Sequence, residues 1–388
     1  MLSRIVSNRV RYSNHSSLAR NAHHYHSGSS RNTRLTQLNK DCLSALKKVE
    51  INASLQKTMI TLDTQYCLNI ALEADAEYQS IPDSAIFEPD DSPEAEERAR
   101  GLQLARGLRA TANFLEKYSV TMPEITLEAA ITPGHQNHLL NSLRDSFPLL
   151  SEADQRAFAG AVQPETLNRL GLKLSPALCK RSLANQQMGK PQLAGHHVLA
   201  LLDYCNSKTG NFNAVNDGLR TWQLCGIDKL ASITSCLSNP LNEALSILFL
   251  HDEFLYRGPA FKGIALGNAA GQFRLSKMQP GMEYTSPHWS SATHIESKNY
   301  SNRSDDERCS KLVFVQSEGV HVHMFNDQSS VDEGEIMIRP KPVVFLPADD
   351  VDLKLAKPVR DRPTLYCTMK PVSSESGGAP LERYAVPV

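Results

Sequence analysis

Residues 331–340, VDEGEIMIRP, carry three carboxylates, Asp332, Glu333 and Glu335, directly before alternating apolar residues. An extended strand turns every second side chain to the same face, so Glu333 and Glu335 are expected to lie side by side. Two like charges this close cost free energy unless they are solvated, paired or used in chemistry. The spacing therefore predicts either a solvated strand edge or a carboxylate pair for general-base or charge-stabilising catalysis.

A second candidate is Arg257 in FLYRGPAF (254–261), which ends an apolar strand pattern and is followed by Gly258. A guanidinium at such a place can bind a phosphate with two parallel hydrogen bonds, and the adjacent glycine keeps the backbone clear of the ligand. Taken alone, Arg257 is better explained as a solvated arginine at a strand end.

A third candidate is the stretch YTSPHWSSAT (284–293), in which Trp289 precedes Ser290 and Ser291. An aromatic side chain can pack against a flat ring, and a small hydroxyl can donate a hydrogen bond to an acidic neighbour. Serine-rich turns are common, so the stretch is a weak signal by itself.

Together these three features resemble the Arg-Ser-Glu class of mono-ADP-ribosyltransferases, the fold shared by arginine-modifying bacterial toxins and vertebrate ecto-transferases. They follow one another in the family's order. Three longer stretches are also similar to the family: its helical entry (203–220), its approach to the arginine strand (241–258), and its strand, turn, Glu-x-Glu and strand passage (318–347). The resemblance covers about residues 190–388.

The resemblance implies a role for each residue. Arg257 would hold NAD through its phosphates, and Ser290 would orient the catalytic glutamate. Glu335 would be that glutamate, binding the ribose 2′-hydroxyl and stabilising the oxocarbenium ion as nicotinamide leaves. Glu333 would activate the acceptor, and in the family it accompanies arginine acceptors. The implied NAD contacts are Arg257, Gly258, Trp289, Ser290, Ser291 and Glu335.

The sequence departs from the family's Ser-Thr-Ser motif, which reads Ser290-Ser291-Ala292 here. Ser291 keeps a hydroxyl, whereas Ala292 removes the third one. The alternative register Tyr284-Thr285-Ser286 is followed by a proline, which would break a strand. Ala292 supports a second hypothesis, a catalytically degenerate transferase fold that binds a host protein without turnover.

Two histidine clusters raise the question of a metal site. His321 and His323 in VHVHMF would share a strand face and could bind zinc with a third ligand, but no partner spacing supports one. The cluster HHYH (23–26) lies in a segment that cannot bury a core. We therefore predict no metal site.

The elements that position the candidate residues are predicted in two blocks. Residues 41–185 read as an all-α accessory domain that binds a target or chaperone or plays a structural role. Helix starts are predicted at Ser92-Pro93-Glu94 and at Ser151, where Asp154 completes a capping-box pattern. Residues 190–388 read as an α+β domain, which the resemblance makes an ADP-ribosyltransferase-like split β-sandwich with helical entry. The expected strands are FLYRG, FKGIAL, KLVFVQ, VHVHMF, GEIMI, VVFL and TLYCTM.

Residues 1–40 contain no Asp or Glu and are rich in Ser, Arg and His, a composition that predicts disorder. The segment fits a type III-like secretion signal for an effector acting in a host cell, and a mitochondrial transit peptide or an unaddressed tail are the alternatives. The net charge of −1 gives no indication of a nucleic-acid partner, and no apolar run is long enough to span a membrane. The eight cysteines, none in CxxC spacing, fit a reducing compartment.

Overall fold

A computed structural model describes residues 131–206, 228–265, 281–284, 288–298, 309–326, 333–345 and 364–371, with short pieces between 208 and 219 and a few isolated residues. For some of these, including 228–236 and 364–371, only the backbone is described. The predictions for residues 1–40, for the HHYH cluster and for most of 41–130 lie outside the described residues. Among the described helices, none combines the length and apolar composition needed to cross a bilayer.

The helices begin where side-chain caps and prolines place them. The hydroxyls of Thr132, Ser151 and Ser175 each accept a hydrogen bond from a backbone N–H in the first turn of the following helix. The predicted starts at Ser151 and Ser92 are confirmed, since Asp154 N and Ala95 N donate to these two hydroxyls. The helices are α1 (Pro133–Ser146), α2 (Glu152–Ala161), α3 (Pro164–Arg169), α4 (Pro176–Gln187), α5 (Gly195–Cys205) and α6 (Asp228–Leu248).

The strands are β1 (Leu255–Ala265), β2 (Glu283–Tyr284), β3 (Ser290–Thr293), β4 (Cys309–His321), β5 (Glu335–Ile338), β6 (Val343–Phe345) and β7 (Thr364–Pro371). Among the described strands the pairings are antiparallel apart from β4 with β7, so the predicted α+β class is confirmed. The two strands predicted at 254–258 and 261–266 form the single strand β1. Pro259 does not interrupt it, because the pairing with β4 is irregular at that point.

Strand β4 organises the sheet because it changes partners halfway along. One edge pairs with β1 along the strand, while the other pairs with β7 up to Phe314 and with β5 from Gly319. Between the pairs Gly258↔Ser317 and Ala260↔Phe314, β4 carries one residue more than β1. Val315 and Gln316 are both exposed, which marks the bulge. Within the one seven-stranded sheet, the neighbour of β4 on this edge therefore changes from β7 to β5 at the β4 bulge.

The β3–β5–β4 region has two buried faces. The helix face, defined by Trp289, Val320 and Met337, packs into one hydrophobic core with the helices. The inner face carries a second buried apolar set outside that core. This set is Ala260, Ala292, Leu312, Phe314, Ile336, Ile338 and Val343.

The helices before residue 190 contact the sheet-bearing half directly. The Phe158 ring of α2 packs 5.8 Å from the Phe325 ring, and Asp154 Oδ1 lies 3.2 Å from His323 Nε2. Arg181 of α4 pairs with Glu253. Residues 131–187 thus share a core with the sheet, and the domain boundary predicted between 185 and 190 stays a prediction.

Candidate functional site

The candidate site is built on the antiparallel pair of β3 and β5. In this register Ser291 lies opposite Met337 and Thr293 lies opposite Glu335, so these four side chains share the helix face. The Ser291 hydroxyl donates to Glu335 Oε1 at 2.5 Å. The serine that contacts the predicted catalytic glutamate is therefore Ser291, whereas Ser290, to which the resemblance gave this role, contacts Lys262.

Ser290 points the other way because consecutive residues of a strand project to opposite faces. It is 3% exposed on the inner face, and its Oγ accepts a hydrogen bond from Lys262 Nζ of β1. A shift of one residue in the motif's register thus moves the hydroxyl from one face of the sheet to the other.

The motif read one residue later, as Ser291-Ala292-Thr293, restores the third hydroxyl. Thr293 Oγ1 donates to the Glu333 carbonyl at 2.6 Å and accepts from Ile295 N at 3.0 Å. Ala292 is 7% exposed and belongs to the inner face. In this register the position without a hydroxyl is the middle one, Ala292, so the departure that supports the degenerate-fold hypothesis moves from the third position of the motif to the second.

Gly334 forms a turn between the two glutamates, which the predicted strand alternation does not include. It has φ of +60°, in the left-handed region that glycine adopts most readily, and β5 begins only at Glu335. Glu333 therefore precedes the strand, and the prediction that strand alternation places both carboxylates side by side is wrong. The glycine between them was the sequence signal for this turn.

Arg257 lies on β1 opposite Glu318 of β4. Alternation along β4, and then the Val320↔Met337 pair with β5, place Arg257 on the helix face that also carries Glu335. Arg257 is exposed, whereas Gly258 beside it lies at the irregular step opposite the β4 bulge.

The surroundings of Arg257 are strongly charged. A hydrogen bond from Lys341 holds the pKa of Glu318 below its ordinary value, and the charges of Arg257 and Arg339 act in the same direction.

The backbone of Gly258, next to Arg257, is also fixed, because its carbonyl accepts a hydrogen bond from Ser317 Oγ at 2.9 Å.

Trp289, the predicted cofactor aromatic, is 8% exposed in the helix-face core. Its ring meets the Phe249 ring edge-on at 6.1 Å, and the Arg339 guanidinium lies 4.8 Å from the centre of that Phe249 ring. The structure therefore shows Trp289 as a packing residue next to a cation–π pair.

A cavity of about 190 Å³ opens where β4 changes partners. Of the predicted site residues, Ser290 lines it, whereas Arg257, Glu333 and Glu335 are not among its described lining residues. Its lining is part apolar and part charged: Phe314, Ile338 and Val343 with Ser286, Ser317, Glu318, Arg339 and Lys341. The cavity is thus distinct from the Ser291–Glu335 pair.

The end of α5 lies beside Glu335. Burial, and next the negative charge of Glu335, raise the pKa of the Cys205 thiol well above its ordinary value. One residue earlier, the Tyr204 hydroxyl lies 3.3 Å from Asn216 Oδ1, which links two residues of the 203–220 stretch.

Asp203, also in α5, is a buried carboxylate that the sequence analysis missed. It is 1% exposed and accepts hydrogen bonds from Asn211 Nδ2 at 2.5 Å and from His135 Nε2 at 3.1 Å. Its partner His135 comes from α1, far upstream, so nothing local in the sequence signalled the contact. Asp203 fixes the end of α5 that adjoins Glu335.

Within the described residues, one group could offer three metal ligands: His196, His197 and Glu243. His197 Nδ1 accepts a hydrogen bond from Ala194 N, so the neutral ring carries its proton on Nε2, which points at Glu243. A metal on Nε2 would require the opposite tautomer, with Nδ1–H facing the Ala194 N–H. The donor set therefore does not fit a metal ion.

No protein-family model matches the chain, and no curated protein matches it. Several solved structures resemble it weakly, among them the three that follow. ADP-ribosyltransferase Vis, in complex with the M6 inhibitor, is 12% identical over 68% of this chain and 91% of its own, with a TM-score of 0.32.

ADP-ribosyltransferase HopU1 of Pseudomonas syringae pv. tomato DC3000 is 13% identical over 62% of this chain and 98% of its own, with a TM-score of 0.34. The type III effector XopAI from Xanthomonas axonopodis pv. citri is 15% identical over 61% and 91%, with a TM-score of 0.32. TM-scores this low do not establish a shared fold.

Proposed function

We propose that the chain is a mono-ADP-ribosyltransferase that cleaves NAD and transfers ADP-ribose to a protein side chain, with arginine as the acceptor. The observation that carries the proposal is the hydrogen bond from Ser291 to Glu335 on the sheet face that also bears Arg257. These are the serine, glutamate and arginine that the family's chemistry uses, and they come from three neighbouring strands.

The residue types match the chemistry of the first step. Breaking the N-glycosidic bond leaves positive charge on C1′ of the ribose, while the bonding electron pair passes to the nicotinamide nitrogen, which becomes neutral. No general acid is needed for this leaving group. The Glu335 carboxylate stabilises the cation from a fixed position, and Arg257 holds the diphosphate of NAD.

The second step is attack of an acceptor nitrogen on C1′, with loss of a proton. Glu333 is proposed to orient the acceptor guanidinium and to take this proton. The turn at Gly334 supports a division of roles, because it places Glu333 outside β5 while Glu335 stays within the strand. Glu335 then serves the ribose and Glu333 the acceptor.

The proposal extends to the rest of the chain. Residues 190–388 form the transferase domain, a split β-sandwich whose division at the β4 bulge fits that architecture. Residues 1–40 serve as a type III-like secretion segment for an effector acting on a host protein. Residues 41–185 serve as an all-α accessory region for a target or secretion chaperone, and its described helices brace the sheet.

The test is incubation of the full chain with NAD labelled in its adenylate part and with a host-cell lysate. We expect labelled protein and released nicotinamide with the wild type and neither with Glu335→Ala. Glu165→Ala, on the exposed surface of α3, is the matched control and should label as the wild type does. Equal labelling by wild type and Glu335→Ala would refute the assignment.

A further inference from the structure

The turn between the two glutamates is held through its backbone carbonyls, because three consecutive ones accept hydrogen bonds from other segments of the chain. Thr293 Oγ1 donates to the Glu333 carbonyl at 2.6 Å, and Val322 N donates to the Glu335 carbonyl at 3.2 Å. Between them, the Gly334 carbonyl accepts from both the backbone N–H and the ring of His294, at 3.2 and 2.8 Å. His294 thus binds the middle of the turn twice.

The ring contact fixes the tautomer of His294. A carbonyl oxygen only accepts, so the Nδ1 atom facing Gly334 carries the proton. The ring is held in this orientation by two aromatic neighbours, Tyr256 at 5.7 Å and His321 at 5.3 Å between ring centres. The donor therefore belongs to a packed side chain from the end of β3.

The turn needs such a restraint because Gly334 has the widest conformational freedom of any residue type. His294 and Ile295 also occupy the space beside Gly334, since a Cβ there would lie 2.7 Å from each of them. Glu335 is fixed independently by its strand pairing and by Ser291. Glu333 lies before β5, so its placement follows the backbone of the turn, which Thr293 and His294 both bind.

We propose that His294 is a positioning residue that holds the Glu333-Gly334 turn and thereby sets the ratio of ADP-ribosyl transfer to NAD cleavage. The inference rests on the proposed transferase function. Loss of the ring donor leaves Glu335 in place and lets Glu333 move. Transfer to the acceptor falls while cleavage of NAD by water continues.

The test compares two variants of His294. His294→Leu removes the ring N–H donor and keeps a side chain of similar size, whereas His294→Asn places an amide N–H donor near the position of Nδ1. Two rates are measured at saturating NAD: nicotinamide release, and transfer to the small guanidine agmatine. We expect His294→Leu to lose about tenfold or more in transfer, because small misplacements of reacting groups cost up to about a hundredfold. Nicotinamide release should change far less, and His294→Asn should recover most of the transfer.

A second readout does not depend on activity. Hydrogen–deuterium exchange of peptides spanning 331–338 should speed up in His294→Leu and stay near the wild-type rate in His294→Asn. If the wild type releases no nicotinamide, the proposed function fails, and exchange still decides whether His294 holds the turn. Normal transfer by His294→Leu, equal loss of both rates, or unchanged exchange would overturn the inference.

Discussion

The two faces of strand β3 carry adjacent serines that do different things. On the helix face, Ser291 bonds Glu335 and Thr293 bonds the carbonyl of Glu333. On the inner face, Ser290 is buried against Lys262, and Ala292 packs in the apolar set. Which hydroxyl can act on the glutamate is therefore decided by the alternation of side chains between the two faces of the strand, and not by the presence of a serine in the motif.

The largest effect is expected at Glu335, the acidic end of the helix-face pair. Glu335→Gln keeps the size of the side chain and the hydrogen bond with Ser291, but it removes the negative charge. We expect a loss of about a hundredfold to a thousandfold in nicotinamide release, the range seen when one electrostatic stabiliser is removed. Glu335→Gln with near-normal turnover would show that the helix face is not the reactive one.

The next effect separates Glu333 from Glu335. Glu333→Gln should lose most transfer to agmatine, because the acceptor loses the carboxylate that orients it and takes its proton. Nicotinamide release should remain within a few-fold of wild type, since Glu335 and its serine are untouched. The measurement is the ratio of the two rates, and an unchanged ratio would contradict an arginine acceptor.

A smaller effect compares the serines directly. Ser291→Ala should lower kcat for nicotinamide release about tenfold to a hundredfold, because a hydrogen bond to a charged group is worth about 1.5–3 kcal/mol. Ser290→Ala should lower the thermal midpoint of unfolding and leave kcat near the wild-type value, since its hydroxyl is buried in the inner face. The reverse ranking would restore Ser290 to the active site.

The smallest effect concerns the histidines behind the turn. Burial, and next the charges of His323 and His294, lower the pKa of His321 to about 4 from 6.5, while Asp154 acts in the opposite direction. The unfolded chain therefore binds a proton that the folded chain does not, so stability is lost as pH falls from 6.5 towards 4.

Urea unfolding at several pH values checks this expectation. His321→Phe should flatten the acid branch of the stability curve. His138→Ala, an exposed site on α1, should leave its slope unchanged. An acid branch of the same slope in His321→Phe would assign the loss to other groups.

The sequence predicted features that are decided locally. The cap at Ser151 depends on residues within one helical turn, and the structure has it where it was expected. The α+β class also followed from the strand patterns after residue 250.

Features decided by distant contacts were not predicted. The register of β3 against β5 determines that Ser291, and not Ser290, meets Glu335. The left-handed turn at Gly334 is contacted by His294, forty positions upstream, and by its neighbour Ile295. Asp203 is held by His135 in the same way. Side-chain patterns read along one segment carry no information about such partners.

The extra residue in β4 makes this strand unusually sensitive to its length. The bulge at Val315 and Gln316 reverses the alternation between the two halves of the strand, so Leu312 and Phe314 reach the inner face while Val320 reaches the helix face. Deleting either exposed residue would smooth the pairing and turn one half of the strand inside out. A one-residue deletion here should therefore abolish soluble expression, whereas substitutions at the same two positions should be tolerated.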